Sequence, residues 1–157
     1  MFNPLHPVSR TQRIIVASVV GPIAGLLLGL LYAMLYSMLR IRIEFSIVYV
    51  FLGIGLGNII QQFGKGVGKE FVIIGAISGV IMVLAADLYP YIASFNGVGI
   101  QSILGSIIIN YIMRFQVMLR NFSLYGLLNT VLYYLFRFYA IYYAARNSEV
   151  GYNSRLF

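Results

Sequence analysis

Long uncharged apolar stretches alternate with short polar segments along this chain, and the longest, residues 14–39, carries no charge over 26 residues. As a helix rising 1.5 Å per residue it reaches about 39 Å, more than a hydrocarbon core of about 30 Å needs. Pro22 lies inside it and is expected to kink the helix, which membrane helices tolerate where neighbours satisfy the freed carbonyl. A second stretch, residues 45–62, follows Arg40, Arg42 and Glu44 and ends before Lys65. A third, residues 71–90, is charge-free to Ala86 and continues through Asp87. The last, residues 124–145, is rich in tyrosine and phenylalanine toward its end, where Tyr139, Tyr142 and Tyr143 are expected to form an interfacial aromatic belt beside Arg146.

Between the third and the last stretch the pattern changes. Apolar residues recur at 100, 103, 104, 107, 108, 111, 112, 115, 118, 119 and 122, the spacing of one helix face, while Ser102, Ser106, Asn110, Arg114, Arg120 and Asn121 occupy the other. Residues 100–122 are therefore expected to lie in the interface plane as an amphipathic helix. A fifth span over residues 98–113 is the competing reading, since 16 uncharged residues approach the lower length limit. The expected fold is all-α: one membrane domain, residues 1–157, with four transmembrane helices in a bundle and one interfacial helix.

Composition agrees with this pattern. The chain is 61% hydrophobic and 10% charged with a mean hydropathy of +0.88, outside the range of soluble domains, which carry about 25% charged residues. Residues 1–13 are polar, but the apolar run after them is nearly twice as long as a signal peptide's core of about 7–15 residues, so retention as a span is expected. The net charge is +7, yet the basic residues are scattered at the edges of apolar runs rather than gathered in a stripe, which excludes a nucleic-acid partner and points to membrane lipids. With four spans, Arg10, Arg13, Lys65, Lys69, Arg146 and Arg155 share one side against Arg40, Arg42, Arg114 and Arg120, so both termini are expected in the cytoplasm.

Small residues recur every four positions: Gly21, Gly25 and Gly29 in the first stretch, Gly53 and Gly57 in the second, Gly75 and Gly79 with Ser78 in the third. Such stripes let helix backbones approach and pack by dispersion where lipid removes the hydrophobic drive between helices. Packing inside one bundle is the expected use, with association between copies, or with another membrane protein, as the alternative.

Two glycine patterns resemble nucleotide motifs and fail on context. Gly53, Gly55 and Gly57 sit inside an apolar stretch with no strand before them, and Gly64 to Lys69 is one residue short of a phosphate loop and runs into Glu70. That Gly-Lys-Gly-Val-Gly-Lys segment is instead expected to be a mobile basic turn, with Lys65 and Lys69 touching phospholipid headgroups.

Enzyme chemistry finds little footing, because there is no cysteine, the one histidine is His6, and the four acidic residues lie at separate boundaries. No catalytic group, cofactor or metal site is expected. The intramembrane polar candidates are Asp87, Asn129 and Arg137. Helix arithmetic puts Asp87 about 24 Å from the inner end of its span and Arg137 about 12 Å from that same end. The two are thus expected at different levels, each snorkelling to its own surface, with Glu70 within reach of Arg137.

The order of features, with Gly53 and Gly57, the basic turn from Gly64 through Lys65 to Lys69, and the closing run Tyr142-Tyr143-Ala144-Ala145-Arg146, resembles small bacterial inner-membrane proteins of four helices. The resemblance implies a four-helix architecture and supplies no activity. A non-enzymatic small subunit, scaffold or assembly factor of a membrane complex is the expected role. The rival is a small oligomeric transporter or channel using Asp87, Asn110, Asn129 or Arg137 along a polar path.

Overall fold

The computed structural model describes residues 9–38, 47–65, 67–94, 105, 108–109, 111–113, 115–116 and 124–149. Four helices are described along their length: α1 (Arg10–Met38), α2 (Ile47–Gly64), α3 (Lys69–Ser94) and α5 (Leu124–Asn147). A further helix, α4, lies between α3 and α5 and is described at residues 105, 108–109, 111–113 and 115–116. The chain is all-α, and α1, α2 and residues 69–88 of α3 are long and apolar enough to cross a membrane.

Local signals set the helix ends. Ser9 and Gln12 form a capping box: the Ser9 hydroxyl accepts from the Gln12 backbone N–H at 3.3 Å, and the Gln12 side-chain oxygen accepts from the Ser9 N–H at 3.1 Å. From there α1 runs unbroken through Pro22. At the far end of α2 the N–H of Lys65 donates to the Gln61 carbonyl at 2.8 Å, and Lys65 turns the chain with φ 44°. The N–H of Phe71 then donates to the Gly68 carbonyl at 3.2 Å as α3 begins. These two bonds close α2 and open α3 on either side of the turn. Glu70 in the first turn of α3 and Arg146 in the last turn of α5 both complement the helix dipole.

The small-residue stripes are where the helices meet, and they do so within one chain. A Cβ built on Gly21 would lie 2.5 Å from the Ser78 hydroxyl, one on Gly25 2.5 Å from the Ser78 carbonyl, and one on Gly29 against the Met82 carbonyl and the Ala85 side chain. Residue numbers rise together along this contact, so α1 and α3 run parallel. Gly53 faces the backbone of Ala140, and Gly57 faces Ala144 and Asn147, which sets α2 parallel to α5. Gly75 faces Ala144 and Ser148 while Gly79 faces Ile141, so α5 runs antiparallel to α3. The bundle thus alternates direction, with α3 touching α1 on one side and α5 on the other.

Its interior is made of small groups and a few large ones. Ala17, Ala86, Ala140 and Ala144 are buried with Leu56, Ile60, Phe71 and Met82, whereas Ile15, Val19, Ile23, Leu27, Leu31 and Leu35 of α1 all face outward. A soluble bundle places its bulk inside; here the bulk lies on the exterior, where hydrocarbon is as good a partner as another side chain. Two serines occupy the tight seams. The Ser148 hydroxyl lies 2.6 Å from the carbonyls of both Phe71 and Ala145, tying the end of α5 to the start of α3. Ser78 is fully buried beneath Gly21, and its hydroxyl has no hydrogen-bond partner among the described residues.

Three substitutions test this packing by thermal unfolding in detergent. Gly29→Ala, which drives a methyl into the Met82 backbone, is expected to lower stability by about 1–3 kcal/mol, whereas Gly55→Ala, with open space around it, is expected to be neutral or to gain a few tenths. Ser78→Ala removes an unsatisfied hydroxyl without changing the packing and is expected to raise stability by about 1 kcal/mol.

Candidate functional site

At the end of the bundle away from Arg10, one turn of α3 presents Asp87 toward α5, and Arg137 meets it. The guanidinium Nη2 lies 2.7 Å from Asp87 Oδ1 and Nε lies 3.1 Å from Oδ2, a two-pronged pair whose side chains are only 10% and 13% exposed. The planar fork of arginine matches a carboxylate in this way, and the geometry is stronger than a single contact.

The sequence-based arithmetic expected these residues at different levels with Glu70 as the arginine's neighbour, and the structure corrects it. Ser148, not Arg146, is level with the start of α3, because its hydroxyl bonds the Phe71 carbonyl. Counting from that contact, Asp87 lies about 24 Å along α3 and Arg137 about 16 Å along α5, so their backbones differ by about 8 Å. Side chains lean toward the N-terminus of their own helix, and in an antiparallel pair that tilts Asp87 and Arg137 toward each other. The length of the arginine side chain closes the remainder. Neither side chain snorkels away, and Glu70 instead pairs with Arg10 at 2.8 Å at the opposite, exposed end.

Tyrosines complete the site. The Tyr49 hydroxyl of α2 donates to Asp87 Oδ1 at 3.2 Å and receives Arg137 Nη2 at 3.5 Å. The Tyr111 hydroxyl of α4 donates to Asp87 Oδ2. Each carboxylate oxygen therefore accepts one bond from the arginine and one from a phenol. Arg137 Nη1 donates to the Tyr133 carbonyl one turn back at 3.2 Å. The guanidinium carbon sits 3.3 Å from the Tyr133 ring centre and 4.7 Å from that of Tyr49, so the cation is held between two aromatic faces. Tyr32 of α1 packs on Tyr49 with ring centres 4.8 Å apart, and the Tyr134 hydroxyl donates to the Tyr111 carbonyl at 2.9 Å.

The ion pair thus joins α2, α3, α4 and α5, and α1 adds only the Tyr32 ring against Tyr49. Burying two charges is costly unless their remaining donors and acceptors are met, and here the carboxylate is met four times. Sequence reasoning singled out Asp87 and Arg137 but not Tyr49, Tyr111 or Tyr133. Tyr111 was assigned to the apolar face of its helix by spacing alone. Among the described residues of α4, Ile108, Ile109, Ile112, Met113 and Phe115 are exposed, while Tyr111 turns in to the carboxylate.

The remaining sequence candidates lie elsewhere. The seven glycines sit in the helix seams, and Lys65 and Lys69 sit in the turn at the Arg10 end. Asn110, Arg40, Arg42, Arg114, Arg120, Arg155 and His6 lie outside the described residues, as does the side chain of Asn129. Tyr139 and Tyr142 are exposed on α5, Tyr143 is half-buried, and the Arg146 guanidinium lies 5.7 Å from the Tyr142 ring. Among the described residues, no three His, Cys, Asp or Glu side chains gather into a metal-binding group.

Removing either charge alone strands the other. Arg137→Met is expected to cost about 3–5 kcal/mol of stability, and adding Asp87→Leu to it is expected to restore most of the loss, as a double-mutant unfolding cycle in detergent measures. Glu70→Gln, at the exposed pair, is expected to leave the unfolding transition where it was.

Comparison of the chain with protein-family models, with curated proteins and with solved structures finds no match, so what the site does is read from its own residues.

Proposed function

We propose that this chain is a four-span, non-enzymatic membrane subunit that serves as a scaffold or assembly factor within a membrane complex. The observation that carries the reading is the saturation of Asp87: both oxygens are filled by Arg137, Tyr49 and Tyr111, so the carboxylate offers no open position to an ion or substrate. An intramembrane charge used in transport must exchange partners, whereas a charge locked by two helices and two phenols holds helices together.

The span count has geometric support. α5 runs antiparallel to α3, so the segment between them makes no net crossing, which fits an interfacial α4 better than a fifth span. Tyr111 reaching Asp87 near the end of α3 fits a helix laid across that end of the bundle. Arg10, Arg13, Lys65, Lys69 and Arg146 lie together at the other end, and the count of six basic residues against four along the whole sequence is what favours termini in the cytoplasm.

The test separates stability from transport. Asp87→Asn and Arg137→Gln are expected to reduce accumulation in the membrane, and the intact protein in proteoliposomes is expected to carry no ion flux above that of empty vesicles. Native mass measurement in lipid discs is expected to show the chain bound to a different polypeptide. Normal accumulation of both variants with loss of a flux seen in the parent would replace this reading with the oligomeric transporter.

A further inference from the structure

The basic turn between α2 and α3 places two lysines where a helical protein gains nothing by having them. Lys65 stands in the left-handed region, φ 44°, although Gly64, Gly66 and Gly68 surround it in sequence and glycine adopts that conformation without strain. Lys69 opens α3, where the helix dipole disfavours a cation. Arg13, from the first turn of α1, joins them: its Nη1 donates to the Lys65 carbonyl at 3.1 Å. The one acidic side chain in the turn, Glu70, is engaged by Arg10 at 2.8 Å, and neither lysine ammonium has a partner among the described residues. Two exposed lysines and a half-buried Arg13 thus stand at one turn with no acidic partner among the described residues.

Apolar side chains lie alongside. Phe63 in the last turn of α2 is 59% exposed and Val67 in the turn itself is 66% exposed. An inorganic anion has no use for these residues, and a two-part ligand with an anionic head and hydrocarbon tails uses both kinds. The turn also stands at the end of three helices long and apolar enough to cross a bilayer, and a spanning bundle would hold it at headgroup level.

We propose that Arg13, Lys65 and Lys69 form a binding site for the phosphodiester of an anionic phospholipid, whose acyl chains run past Phe63 and Val67. The strained lysine and the lysine at a helix start are then held in place by the ligand they serve. The site rests on α1 to α3 spanning a bilayer and is independent of whether the chain is a scaffold or a transporter.

The test uses the full chain extracted from vesicles of phosphatidylglycerol mixed with phosphatidylcholine, with retained lipids counted by native mass spectrometry. Preferential retention of phosphatidylglycerol is expected, reduced about fivefold by Lys65→Gly and on the order of twentyfold when Lys69→Gln is added. Lys65→Gly is at the same time expected to raise the melting temperature, because it relieves the left-handed strain; a turn that is only structural would gain stability with no change in retained lipid. Equal retention of the two lipids, or displacement by millimolar inorganic phosphate alone, would overturn the site. A chain that remains monodisperse in buffer without detergent would overturn the spanning reading and this one with it.

Discussion

Close approach of helix backbones is the constraint on which the rest of this structure depends. Side chains in hydrocarbon gain little by leaving it, so helices associate through dispersion between groups that fit and through polar contacts that lipid cannot replace. The stripes at Gly21, Gly25 and Gly29, at Gly53 and Gly57, and at Gly75 and Gly79 lower the separation to the point where carbonyls of the facing helix sit where a side chain would otherwise be. The seam carries no ridge of large residues, and the bulk of leucine and isoleucine turns outward.

That proximity creates the polar centre. With α3 and α5 in backbone contact, Asp87 and Arg137 meet within a shielded space in which the arginine is 8% exposed. A pair of charges in such a place is destabilising when incomplete and specific when complete, because any shift in helix register breaks several bonds at once. Tyr49 and Tyr111 extend the constraint to α2 and α4, and Tyr32 stacks on Tyr49 from α1. The phenols supply hydrogen bonds at one end and apolar rings at the other, which suits a polar cluster enclosed by hydrocarbon.

The two ends of the bundle do different work. Among the described residues, the charges of the far half are Asp87 and Arg137, paired with each other inside the bundle. At the Arg10 end, Lys65 and Lys69 are exposed and Arg13 bonds the turn backbone, while the exposed Arg10–Glu70 pair contributes little to folding. The buried pair fixes helix register, and the exposed lysines face the ligand proposed for them.

Much of this was legible in the chain by itself. Uncharged runs marked α1, α2 and α3 to within a few residues because length and apolarity are local properties that lipid selects directly. Four-residue spacing marked the glycine seams because spacing fixes a helix face. Spacing names a face but not its partner, so the pairing of Gly29 with Met82 and of Gly53 with Ala140 was decided by tertiary structure. The same limit misplaced Arg137: a depth count along each helix needs a shared origin, and that origin is the contact between Ser148 and Phe71, residues 77 apart in sequence. Tyr111, one apolar position among many by periodicity, became a ligand of Asp87 only when α4 was laid against the bundle. Hydrophobicity is written residue by residue, whereas register between helices belongs to the pair, and the ion pair exists only at one register.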